Sequence, residues 1–166
     1  MLDQKKNIIL IIIFFIILLS IISALIIEHA LGHQPCSLCL YERIPYFLSA
    51  LLIIKIFFFK KYEKITLLIL FLVFMSSSLL AFYHFGIEQG FFNESFVCNV
   101  ENQSKILSKA QLLKELNKNI VSCKNVTFRI LGLSLATINT ILSIVLSIIF
   151  LKLFFNYGSS STSQYK

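Results

Sequence analysis

Charge is what this chain has least of. Only 14% of its 166 residues are Asp, Glu, Lys or Arg, against 57% hydrophobic residues. That balance excludes an ordinary soluble globular domain. It describes a polytopic membrane protein, and the length suits one domain. The net charge of +7 does not imply nucleic acid, because Lys and Arg sit in the connections between apolar runs, where they orient a membrane protein. Polar or ionisable groups within the runs are nearly missing: Lys55 and Asn139 are the strong candidates, and neither has an evident partner in the sequence. A transporter places such groups in mid-membrane, so their scarcity argues against one. Cysteine is limited to four residues and short-spaced pairs to one, Cys36-x-x-Cys39. Zinc bound with His29, His33 or His84 would lack the usual second ligand pair, and no metal is expected. The abundance of Ile, Phe, Lys and Asn carries no functional reading.

What is present is a set of long apolar runs. Residues 8–27 contain no charge over twenty positions, and at about 1.5 Å per residue they cross the ~30 Å hydrocarbon core. Lys5 and Lys6 resemble the basic start of a signal peptide, but the run is too long and no small-residue cleavage site follows. The second span is expected over 40–59, because a start at Ile44 would leave it short. Pro45 is tolerable so early in a helix, although it biases Ile44 away from helical angles. Lys55 lies near the far end and can snorkel toward Lys60 and Lys61. The third and fourth spans are expected over 65–85 and 130–155. The expectation is an all-α, up-down transmembrane four-helix bundle over residues 1–157, followed by a disordered Ser-rich cytoplasmic tail, 158–166.

Orientation follows from the short connections. Lys5 and Lys6 precede the first span and Lys60, Lys61 and Lys64 lie between the second and third. The positive-inside rule places both termini in the cytoplasm, with loops 28–39 and 86–129 outside. The long loop holds five Lys and one Arg, but long connections weigh less in that rule. Within it, Ile106, Leu107, Ala110, Leu113 and Leu116 recur at helical spacing among Lys105, Lys109, Lys114 and Lys118. That pattern predicts a short amphipathic helix on the outer membrane surface.

All four cysteines then fall on one side: Cys36 and Cys39 in the first outer loop, Cys98 and Cys123 in the second. The outer side of a bacterial inner membrane is oxidising, so disulfides persist there. The Cys36-x-x-Cys39 spacing is that of a reactive dithiol whose thiolate is favoured. A helix beginning near Leu40 aims its N-terminal N–H groups at Cys39. Arg43, four residues on, lies one turn deeper on that face, either as a partner for a thiolate or a reduced quinone oxygen or as a snorkelling interfacial residue. Cys98 and Cys123 are compatible with a mobile second redox pair or a structural staple. His84 ends the third span on the cysteine side.

The run Pro35-Cys36-Ser37-Leu38-Cys39-Leu40-Tyr41-Glu42-Arg43 resembles the signature of the disulfide bond formation protein B family (DsbB). The likeness extends over four spans and the second cysteine pair, and Tyr83-His84-Phe85-Gly86-Ile87-Glu88 resembles the family's end of the third helix. The resemblance implies a thiol:quinone oxidoreductase of the bacterial inner membrane. It would reoxidise a periplasmic DsbA-like thiol protein, pass electrons to ubiquinone or menaquinone, and so support disulfide bond formation. It implies that Cys98 receives the partner in a mixed disulfide, that Cys123 is its mate, that Cys36 exchanges with that pair, and that Cys39 faces the quinone. Arg43 matches the family arginine near the quinone, and His84 matches a cofactor-side position more loosely. A vitamin K epoxide reductase-like enzyme is a rival, although there the CxxC lies near the end of a late helix. Sequons at Asn93, Asn102 and Asn125 fit a lumenal loop only weakly. A non-enzymatic bundle stapled by disulfides is the other rival. In the reduced protein, a membrane-impermeant thiol reagent added from the periplasmic side is expected to label both Cys36 and Cys98; labelling from opposite sides would refute this topology.

Overall fold

The computed structural model describes residues 2–93, 98, 123–124, 129–130 and 132–161. Helix α1 spans Leu2–His29, α2 Ser37–Tyr41, α3 Ile44–Phe58, α4 Glu63–Glu88 and α5 Leu135–Ser161, with a 3-10 turn at Lys60–Tyr62. Strands β1 (Arg129–Ile130) and β2 (Leu133–Ser134) form a minimal antiparallel hairpin before α5. Among the described residues, four helical segments are long and apolar enough to cross a membrane: Gln4–His29, Ser37–Phe58, Glu63–Glu88 and Leu135–Asn156. The all-α four-helix bundle expected from the sequence is therefore the fold. The stretch read as an amphipathic helix, 105–118, lies outside the described residues.

Each span buries one face at helical spacing. Leu10, Ile13, Ile17 and Ile21 of α1 meet Tyr46, Ala50, Ile53 and Ile56 of α3, Leu67, Leu70 and Phe74 of α4, and Leu146, Phe150 and Leu153 of α5. The opposite faces are equally apolar and open: Phe15, Leu19, Leu51, Leu79 and Phe155 are exposed. In water that would be a liability; against lipid it is the expected surface, and helix association then rests on packing and hydrogen bonds. Phe74 supplies the packing centre, stacked on Phe150 at 5.6 Å and edge-on to Tyr46 at 5.6 Å. Small buried residues, among them Ser49, Ser77, Ala81, Ala136 and Ser143, let the backbones approach. Ser77 and Ser143 join α4 to α5 through a 3.2 Å hydroxyl contact. At the other end of the bundle from the cysteines, Lys6 and Glu63 form a 2.6 Å ion pair between α1 and α4.

Four boundaries differ from the sequence expectation. The second span begins at Ser37 rather than residue 40 and is broken at Glu42–Arg43. Pro45 sits in the first turn of α3 and has no N–H to continue the ladder. The fourth span starts at Leu135 rather than residue 130, because Gly132 takes φ +84° and closes the β1–β2 turn. The Ser134 side chain then caps α5 by accepting from Thr137 N–H at 3.2 Å. The third span runs three residues beyond 85, to Glu88. Gly86 within it leaves room for the Phe92 ring, which a Cβ would meet at 2.1 Å. Helix α5 continues to Ser161, into the segment read as a tail. Replacing Phe74 by Ala is expected to destabilise the detergent-solubilised protein by about 3 kcal/mol, read as a lowered melting temperature.

Candidate functional site

The break in the second span shapes the site. Cys36 is the N-cap of α2, and its Sγ accepts from Cys39 N–H at 3.2 Å. The helix start is therefore directed at Cys36, not at Cys39 as the sequence reading had it. Beginning at Ser37 makes Cys36 the cap and places Cys39 inside the first turn. Cys36 is buried and Cys39 half-buried, both as free thiols.

His84, nearly at the end of α4, is 2% exposed. Its Nε2 stands 3.5 Å from Cys36 Sγ and its Nδ1 2.7 Å from Glu42 Oε1. The other Glu42 oxygen accepts from Asn139 Nδ2 at 2.6 Å. Asn139 Oδ1 accepts in turn from the Tyr46 hydroxyl, which also meets Ser143 Oγ at 3.3 Å. A thiol, an imidazole and a carboxylate in line form the pattern by which a base activates a sulfur nucleophile and a third group orients the base. Burial leaves these groups little water to substitute for one another.

Cys36 lies just outside the span that begins at Ser37. Its pKa is lowered to about 5, chiefly by the hydrogen bond from the Cys39 side chain; burial opposes the shift, and the hydrogen bond and charge of His84 reinforce it. Cys36 is thus the thiolate of the pair.

The second cysteine pair is joined: Cys98 and Cys123 form a disulfide with Cα atoms 5.5 Å apart. Both are buried in one cluster with Cys36, Leu38 and Ile87, and Cys39, Leu80 and Tyr83 pack against it. Dithiol and disulfide are therefore neighbours. A cavity of about 350 Å³ opens beside them, walled by apolar residues of α1 and α5 and by Cys36, Cys39, Glu42, Arg43, His84 and Cys123. Arg43 is paired with Glu28 of α1 in that wall.

The structure thus gathers Cys36, Cys39, Cys98, Cys123, Arg43 and His84 at one end of the bundle. Ligand atoms of Cys36, Cys39 and His84 lie within 4.8 Å of one another. Three donors fall short of the four of a closed zinc site, and oxidation to a Cys36–Cys39 disulfide would remove two. Sequence reasoning missed Glu42, Glu88, Glu28 and Tyr46, all in the cavity wall. Glu42 and Glu88 lay inside the two motifs that were singled out, so proximity to those motifs was the available signal. Asn139, read as lacking a partner, has two. His29 turns back and donates from Nδ1 to Leu25 O, 3.1 Å away.

A multi-pass helical membrane protein with a dithiol and a disulfide packed together at one end belongs to the class of membrane oxidoreductases that work by thiol–disulfide chemistry. The chain is a member of the family described as Disulfide bond formation protein DsbB, whose sequence model matches residues 6–153. It is also similar to an uncharacterised protein of Rickettsia prowazekii (strain Madrid E), with 30% identity over 144 residues, covering 86% of this chain and 83% of the relative.

A pKa of about 5 means that Cys36 is thiolate above that pH and loses reactivity as pH falls through it. Alkylation of the reduced protein by iodoacetamide is expected to show a midpoint near pH 5 at Cys36. His84→Gln should move that midpoint upward; an unchanged midpoint would contradict the contribution of His84.

Proposed function

We propose that this protein reoxidises a periplasmic DsbA-like thiol protein and passes the electrons to membrane quinone, from a bacterial inner membrane in which the cysteines face the periplasm. The observation that carries the reading is the burial of Cys36 in one cluster with the Cys98–Cys123 disulfide. A staple alone would account for the disulfide and leave the adjacent thiolate–imidazole pair without a purpose.

The exchange steps balance as follows. A thiolate of the reduced partner attacks Cys98 Sγ; a mixed disulfide forms and Cys123 leaves as thiolate. The partner's second thiol resolves that intermediate, so the partner departs oxidised and Cys98 and Cys123 are left reduced. With Cys36 and Cys39 joined, a thiolate of the reduced pair attacks Cys36 Sγ and releases Cys39. The second thiol of the attacking pair completes the exchange, leaving Cys36 and Cys39 reduced. Such steps run faster the greater the thiolate fraction and the lower the pKa of the leaving sulfur.

The cavity fits a quinone ring by size, since small-ligand pockets begin near ~300 Å³, and by chemistry, being apolar with a few polar groups at the dithiol. Bound there, quinone supplies a lipid-soluble acceptor for two electrons and two protons. Cys39, Tyr46 and the Arg43–Glu28 pair line that cavity and would contact a ring held in it. Apolar residues of α1 and α5 exclude water from the same space.

Anaerobic mixing of the purified protein with reduced partner and either ubiquinone or menaquinone, followed by quinone absorbance, tests the reading. Cys39→Ser is expected to abolish quinone reduction while Cys98 still traps the partner covalently; undiminished reduction by that variant would refute the role of Cys39.

A further inference from the structure

Glu88 takes no part in the exchange steps, yet it is placed as if for chemistry. It ends α4, and its side chain is 6% exposed. Its Oε2 has no hydrogen-bond partner among the described residues. Its Oε1 stands 3.8 Å from His84 Nε2, the same nitrogen that meets Cys36 Sγ at 3.5 Å. The carboxyl group also lines the cavity shared by Cys36 and Cys39. Cys36, Glu42 and His84 act on it electrostatically, while the Ser134 hydroxyl is engaged by Thr137. Glu28, Arg43 and His33 complete the polar wall, but Arg43 is engaged by Glu28 and is not its counter-ion.

A buried carboxyl oxygen without a donor loses its hydration uncompensated, and such a group calls for a reason. The reaction supplies one. Oxidation of Cys36 and Cys39 forms one S–S bond and gives up two electrons and two protons, and those protons start in a buried space. Resting on the quinone reading above, we propose that Glu88 is the proton-transfer group of the dithiol, taking a proton from His84 Nε2 and handing it on into the cavity that Glu88 lines. The proton that Cys36 loses is held at His84 Nε2. A side-chain shift of less than an ångström brings Glu88 Oε1 within the ~3.2 Å outer range of an N–H···O bond. The electrons leave through Cys39 to the quinone, whose two oxygens take up the protons as two O–H bonds. The second proton comes from the Cys39 thiol, which lines the same cavity.

Glu88→Gln preserves shape and removes the exchangeable acid. Single-turnover reduction of a short-chain ubiquinone by the reduced protein should slow by about 100-fold or more, the scale of general acid–base catalysis. Trapping of reduced partner at Cys98 should keep its rate. A second measurement needs no quinone: the infrared difference between the dithiol-reduced protein and the protein oxidised with a chemical disulfide should contain a carboxyl band that is missing in Glu88→Gln. Glu88→Asp should recover part of the lost rate, which a merely structural loss would not show. Quinone reduction by Glu88→Gln within twofold of wild type, an infrared difference unchanged by the substitution, or no recovery in Glu88→Asp overturns the proposal. Wild-type protein that fails to reduce any quinone overturns the functional reading instead, and the infrared band still decides whether Glu88 exchanges a proton with the dithiol.

Discussion

The hydrogen-bonded line from Cys36 through His84 to Glu42 and Asn139 is the constraint on which the site depends. It ties the α2–α3 break, the end of α4 and the beginning of α5 into one buried unit. Each member is satisfied by the next, which is the condition under which a buried polar network rigidifies a structure. The lipid-facing surfaces impose no such specificity, because apolar side chains meet apolar tails on every helix alike. The polar line therefore fixes how the cysteine end of the bundle is assembled, and the Phe74 stack fixes its middle.

A single backbone interruption places that line. Pro45 prevents α2 and α3 from running on as one helix, and the turn at Glu42–Arg43 directs the Glu42 carboxylate to His84 while Arg43 pairs with Glu28 of α1. The same break leaves α2 short, with Cys36 at its cap. Two adjacent charged residues of the cavity wall thus take different partners: Glu42 orients the imidazole and Arg43 pairs with Glu28.

Placing Cys98–Cys123 against Cys36 has a further consequence. The fold already closes the long chain separation between the two sulfur pairs by burying them in one cluster. The cavity beside them joins this sulfur cluster to the apolar interior of the bundle. Family membership and geometry thus point to the same end of the molecule.

Much of this was legible in the chain itself. Apolar run lengths marked the four spans, Lys positions marked one end, and the CxxC run and the Tyr83–Glu88 segment are two stretches that the fold brings together, because hydrophobicity and local spacing are properties of contiguous sequence. The helix start at Ser37 and the late start of α5 were not legible, since caps and turns depend on a few side-chain hydrogen bonds. Only the tertiary structure decided that His84 meets Cys36 across 48 residues and that Asn139 meets Glu42 across 97. Periodicity reports which face of a helix is apolar. It carries no information on which polar atoms of distant helices share a buried space, because that choice is made by packing all the spans at once.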